Sequence, residues 1–102
     1  MRIEFFFPVC TETVNKQVGD EIAGHFGGWT RCTCQGAWLN DDSVIEEEVH
    51  HYTALTNASR VEATSWITLL FLPIVSKRYS EVGQEQVEFM FAIDSAPVFV
   101  RV

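Results

Sequence analysis

Two groups of side chains have the types and spacing to do chemistry. The first is Glu46, Glu48, His50 and Tyr52, which alternate along one segment and so share one face of a strand. There a carboxylate can hold an imidazole in one tautomer while the other ring nitrogen takes a proton, which is a general acid/base pair. His50 and Glu48 are the candidate catalytic residues, with Tyr52 orienting a substrate; a solvated acidic strand face is the plainer reading. His51 points the other way, among apolar residues, and reads as a hydrogen-bonded core histidine. The second group is Cys32-Thr33-Cys34, which sets two half-buried thiols about 7 Å apart on one strand face. Neighbours so placed do not form a disulfide, and a single Cys-x-Cys lacks the second ligand pair of a zinc site, so no metal is expected. Cys10 sits just before a helix start, where a thiolate gains from the helix N-terminus; a small apolar filler is the alternative. The chain carries no nucleophile elbow, phosphate-binding loop, dinucleotide fingerprint or His-Glu-x-x-His, and no cofactor is implied.

The elements that position these residues follow from apolar periodicity. Ile3–Val9 reads as a strand, with Ile3, Phe5 and Phe7 on one face and Glu4 and Phe6 on the other. Val14, Val18, Ile22 and Phe26 form a helical stripe opened by Thr11, with Glu12 suiting the first turn. Gly27-Gly28 ends that helix. Trp29–Leu39 and Val44–Leu55 form a hairpin about Asn40-Asp41-Asp42-Ser43, with Gly36 a bulge or a point of close approach. In the second strand Ile45, Val49, His51, Thr53 and Leu55 are assigned the core side. Across Ala58–Val82 the spacing of Leu69, Leu72, Val75 and Tyr79 predicts a helix kinked or restarted at Pro73, stopping at Gly83. An extended Thr64–Leu72 is the alternative. Val87, Phe89, Phe91 and Ile93 mark the core face of a strand over Gln86–Asp94, and Ser95-Ala96-Pro97 turns into a short strand at Val98–Val102.

This order, strand-helix-strand-strand-helix-strand plus a tail, predicts a single α+β domain over residues 1–102 of the ferredoxin-like (βαββαβ) kind. Two helices cover one face of an antiparallel sheet. The open face is expected to gather Phe6, Trp38, Tyr52 and Met90 beside Glu46, Glu48 and His50. An apolar patch of that kind is normally buried against something, and a homodimer through the sheet is the simplest answer.

Composition narrows the partners. The chain has 102 residues, 47% of them hydrophobic and 13% aromatic, which supports one core and argues against disorder. Fourteen acidic residues against seven basic ones give a net charge of -7, a field that repels nucleic acid. No membrane span and no export signal are visible, and three cysteines cannot form a complete disulfide set, so a cytoplasmic location is expected.

Phe26-Gly27-Gly28-x-Thr30, then Gly36-x-Trp38, a polar turn and an acid-bearing strand, and later Gly83-Gln84-Glu85-x-Val87, resemble a loose group of short bacterial, plasmid and phage proteins of uncharacterised function. The resemblance spans Val14 to Ile93. It implies a ferredoxin-like α+β fold and a home on mobile DNA, and it transfers no catalytic residue. The functional expectation is a non-catalytic accessory module, homodimeric, that binds a small molecule or a protein through Phe6, Trp38, His50, Tyr52 and Met90. The alternative is a small dimeric enzyme using the His50/Glu48 pair.

Overall fold

The fold is built around the alternation in β1 (Arg2–Pro8), whose Ile3, Phe5 and Phe7 are all but completely buried while Arg2, Glu4 and Phe6 face the other way. The computed structural model describes residues 1–86 and 88–102; Val87, expected on a strand face, lies outside the described residues. Helix α1 (Glu12–Phe26) starts where Thr11 Oγ1 accepts the Val14 amide, and it lays Val14, Val18 and Ile22 on the sheet. It ends at Gly27, which takes the left-handed conformation (φ 90°) and donates its amide to the Ala23 carbonyl. Strands β2 (Thr30–Asn40) and β3 (Ser43–Leu55) form a long hairpin in continuous register, from Thr30 opposite Thr53 to Asn40 opposite Ser43.

The region around Pro73 is helical throughout, so an extended Thr64–Leu72 is ruled out. Helix α2 (Arg60–Trp66), capped by Ser59, runs into a π-helical turn (Ile67–Phe71) and then α3 (Leu72–Glu81). The widened turn, in which the Leu72 amide reaches back to the Ile67 carbonyl, lets Pro73 enter the first turn of α3, where its missing donor costs little. This whole stretch and α1 form one layer over the sheet. Phe71 sits at its centre, with ring centroids 5.2 Å from Phe5, 5.8 Å from Phe7 and 4.8 Å from Trp66. The Tyr79 hydroxyl, raised well above its ordinary pKa chiefly by burial, donates to the Pro8 carbonyl and ties α3 to the end of β1.

The expected ferredoxin-like sheet with a short extra C-terminal strand is corrected. One sheet holds five antiparallel strands in the order β2-β3-β1-β4-β5. Here β4 is Glu88–Ile93 and β5 is Ala96–Arg101, and all six residues of β5 pair with β4. The turn is Asp94-Ser95, both at positive φ (48° and 70°), rather than Ser95-Ala96-Pro97. Pro97 is tolerated inside β5 because that strand lies at the sheet edge.

A second correction concerns β3. Its residues pair with β1 as Phe5 opposite Tyr52 and Phe7 opposite His50, so His50, Tyr52 and Ala54 face the helices. Tyr52 and Ala54 are buried at 1% and 2% exposure, whereas His51, Thr53 and Leu55 lie on the open face. The two parities of β3 are similarly mixed in polarity. The register is decided by the large aromatic set of β1, which Tyr52 completes.

Candidate functional site

The helix-side face of the β2–β3 hairpin extends past α1 and leaves a cleft of about 450 Å³ between them. The glycine hinge shapes one wall. After Gly27 and Gly28 turn the chain, Trp29 folds back on α1 and donates its indole Nε1–H to the Gly19 carbonyl at 2.8 Å. Glycine suits the close approach, because a Cβ at position 19 would stand 3.1 Å from Trp29 Cζ2 and press the indole outward. From the opposite side Tyr52 meets the indole edge-on, with centroids 5.3 Å apart.

Arg31 follows two residues later on the same strand face. Its guanidinium lies over the Trp29 ring, 5.3 Å from the centroid, and 5.8 Å from the Tyr52 centroid. Such stacking holds the guanidinium plane while leaving its N–H fork unused. Among the described residues Arg31 forms no ion pair, whereas Lys16 on α1 is engaged with Asp20 at 2.7 Å. Asn15 is likewise committed, bonding both the amide and the carbonyl of Cys10. Glu12 and Asp20 complete the α1 rim.

His50 lines the floor at 8% exposure, and its Nδ1 is 3.0 Å from Thr33 Oγ1 on β2. Burial first, and then the neighbouring Arg31 charge, hold its pKa below the ordinary value, with Glu48 partly offsetting them. The imidazole is therefore neutral at neutral pH, one nitrogen meeting Thr33 and the other available. Glu48 lies on the same strand face but is exposed and makes no hydrogen bond to His50. The expected acid/base pair is not assembled.

No family model, curated protein or solved structure matches this chain.

The five residues expected to gather in one binding patch are divided between two faces. His50 enters the cleft, and Tyr52 lies beneath it in the core, where it cannot orient a substrate. Phe6 and Met90 pair on the open face, and Trp38, 45% exposed, stands farther along β2 opposite Ile45. The patch from which a homodimer was expected does not form as drawn, since Tyr52 and His50 face the helices. Gly36 introduces no bulge; it stands opposite Glu47, and a Cβ there would come within 2.8 Å of Val49 Cγ2. Trp29 and Trp38 consequently face opposite ways. Cys32 and Cys34 share one strand face as expected; that face is the open one, and they are exposed rather than half-buried, while Cys10 packs against the core as a small filler.

Arg31, Trp29, Thr33 and Gly19 were not expected at a site. The available signal was the alternation Trp29, Arg31, Thr33, which sets a ring, a cation and a hydroxyl on one strand face. Among the described residues no group of three His, Cys, Asp or Glu side chains is arranged to hold a metal ion, and no helix is long and apolar enough to cross a membrane.

Proposed function

We propose that this protein is a small-molecule-binding module whose cleft between α1 and the β2–β3 hairpin receives the anionic group of a ligand, a carboxylate or a phosphate, at Arg31. One observation carries the reading. The guanidinium is stacked on Trp29, has no ion-pair partner among the described residues, and borders a cleft of about 450 Å³, within the range of metabolite pockets. A planar fork held this way suits bidentate recognition of a carboxylate or phosphate. Neutral His50 contributes a further polar contact, and Glu12 on the rim can accept hydrogen bonds from donors on the same ligand. The three free cysteines suit a reducing compartment, and the location is read as cytoplasmic.

The test is a thermal-shift screen of dicarboxylates and nucleoside monophosphates on the wild type and on Arg31→Gln. A ligand of this class raises the melting temperature of the wild type, and that rise is lost in the variant. Stabilisation by such compounds that persists undiminished in Arg31→Gln contradicts the reading, as does a screen in which only uncharged compounds stabilise.

A further inference from the structure

The opposite face of the sheet carries a second arrangement that the cleft does not use. Cys32 on β2 stands directly across from His51 on β3, its Sγ 3.8 Å from the imidazole Nδ1. On the far side of the same ring, Nε2 is 3.4 Å from Glu4 Oε1 on β1. Glu4 is itself held by Arg2, whose guanidinium nitrogen is 2.8 Å from the same oxygen. Phe6 stacks on the imidazole with centroids 4.5 Å apart and planes 16° from parallel, which fixes the ring between its two neighbours. Thiol, imidazole and carboxylate thus lie in sequence across three adjacent strands.

The order of these groups has a chemical consequence. Nε2 is shut off from solvent and makes no hydrogen bond as it stands, and Glu4 at 3.4 Å is the only acid within reach among the described residues, so a proton on Nε2 is the one the carboxylate is placed to meet. Nδ1 is then the unprotonated nitrogen, and it faces Cys32 Sγ. A nucleophile next to a base that is oriented by a third group is the general signature of covalent catalysis. Separations slightly long for tight hydrogen bonds are usual before substrate binds. The charged and titratable groups around the ring are Glu4 and Arg2 from β1 and Cys32 and Cys34 from β2. Cys34 is exposed on the same face, but its thiol meets the Val49 carbonyl rather than a base.

Room for a substrate begins one same-face pair away from this relay. The next cross-strand pair on the same face, Thr30 with Thr53, borders a groove of about 560 Å³ that also includes Arg2, Phe26, Trp29 and Leu55. Its walls are mainly apolar, with Arg2 at one side. Strand β2 lies at the sheet edge, so part of its backbone N–H row is free to meet a developing oxyanion.

We infer that Cys32, His51 and Glu4 form a nucleophilic relay that accepts a short apolar acyl group from an activated ester or thioester and passes it to water. His51 Nδ1 takes the Cys32 proton as Sγ attacks the acyl carbon. The bond from that carbon to the leaving oxygen or sulfur breaks, and His51 returns the proton to the departing alcohol or thiol. Water then attacks the enzyme thioester, giving a proton to His51; the carbon–Sγ bond breaks, the carboxylic acid leaves, and Cys32 is reprotonated. No redox partner or metal enters the balance.

The experiment uses two probes on the full chain. With p-nitrophenyl butyrate, peptide mapping finds the butyryl group on Cys32, and nitrophenolate release falls at least about tenfold in His51→Gln. With iodoacetamide, Cys32 alkylates faster than Cys34 in the same molecule at neutral pH, and His51→Gln brings the two rates together. Glu4→Gln lies between, because it loosens the tautomer without removing the base. Cys10, the one thiol that is only half exposed, reports unfolding in the same digest: it stays slow when His51→Gln is folded, so rates that converge without faster alkylation of Cys10 reflect the lost base. Acylation spread over Cys10, Cys32 and Cys34, or a Cys32-to-Cys34 rate ratio unchanged in His51→Gln, overturns the inference.

Discussion

Gly19→Ala probes the wall of the cleft with the smallest possible perturbation. A helix-interior glycine replaced by alanine gains about 0.8–1.0 kcal/mol of helix propensity. Here the new Cβ would stand 3.1 Å from Trp29 Cζ2 and 3.3 Å from Nε1, so the indole must withdraw by a few tenths of an ångström. That displacement strains the 2.8 Å bond from Nε1 to the Gly19 carbonyl, an interaction with a net value of about 1 kcal/mol. The two terms nearly cancel, so urea denaturation finds global stability within about 1 kcal/mol of the wild type, a shift of at most ~4–8 °C in melting temperature. The local outcome is not balanced. The Trp29 indole N–H, assigned by its loss in Trp29→Phe, exchanges with solvent faster in Gly19→Ala, and its NMR resonance moves. A variant that is more stable by the full propensity gain, with that resonance and its exchange rate unchanged, refutes the seating of Trp29 on Gly19 and with it the shape of the cleft.

Other consequences of the structure are open to direct measurement. His50 has a folded pKa below its ordinary 6.5, so the unfolded chain takes up its proton first as pH falls. Stability attributable to neutral His50 is therefore present above about 6.5 and lost below it, down to the depressed folded value; urea midpoints of His50→Gln lack this step. Glu47 shows the opposite sign, since burial raises its carboxyl above 4.5 and makes its ionised form a cost to the fold at neutral pH. Glu47→Gln accordingly stabilises the protein at neutrality, and the gain disappears below the carboxylate range in a pH series of thermal melts. Phe71→Ala empties a fully buried site against Phe5, Phe7 and Trp66, costing about 3–5 kcal/mol, a large fraction of the stability of a domain this size, which chemical denaturation reads directly.

The sequence carries more of the frame than of the site. The stripe Val14, Val18, Ile22, the Thr11 cap and the Gly27 stop are local signals, and local physics realises them: buried side chains, a capping hydroxyl and a left-handed glycine. The alternation of Ile3, Phe5 and Phe7 is equally direct. The facing of β3 is not local, because His50-Tyr52-Ala54 and His51-Thr53-Leu55 are similarly plausible core sets until β1 supplies its partners. Inverting that one strand moves Tyr52 from a supposed site into the core, brings His50 to the cleft floor, and sets His51 beside Cys32 on the open face. Partners such as Tyr52 beside Trp29, or Glu4 beside His51, depend on cross-strand register and on the hinge, which spacing along the chain does not encode. The extent of β5 depends on two non-glycine residues at positive φ in the Asp94-Ser95 turn.

The most direct test of the central claim is a titration with inorganic phosphate, the simplest anion of the proposed class, followed by ¹H–¹⁵N NMR at the Arg31 side chain. The account predicts that the Arg31 Nε–H and Trp29 indole resonances move together and saturate, with His50 ring signals following, and that Arg31→Gln abolishes the movement of the other two. Resonances that shift only elsewhere, or Trp29 and His50 signals that respond identically in Arg31→Gln, would contradict it.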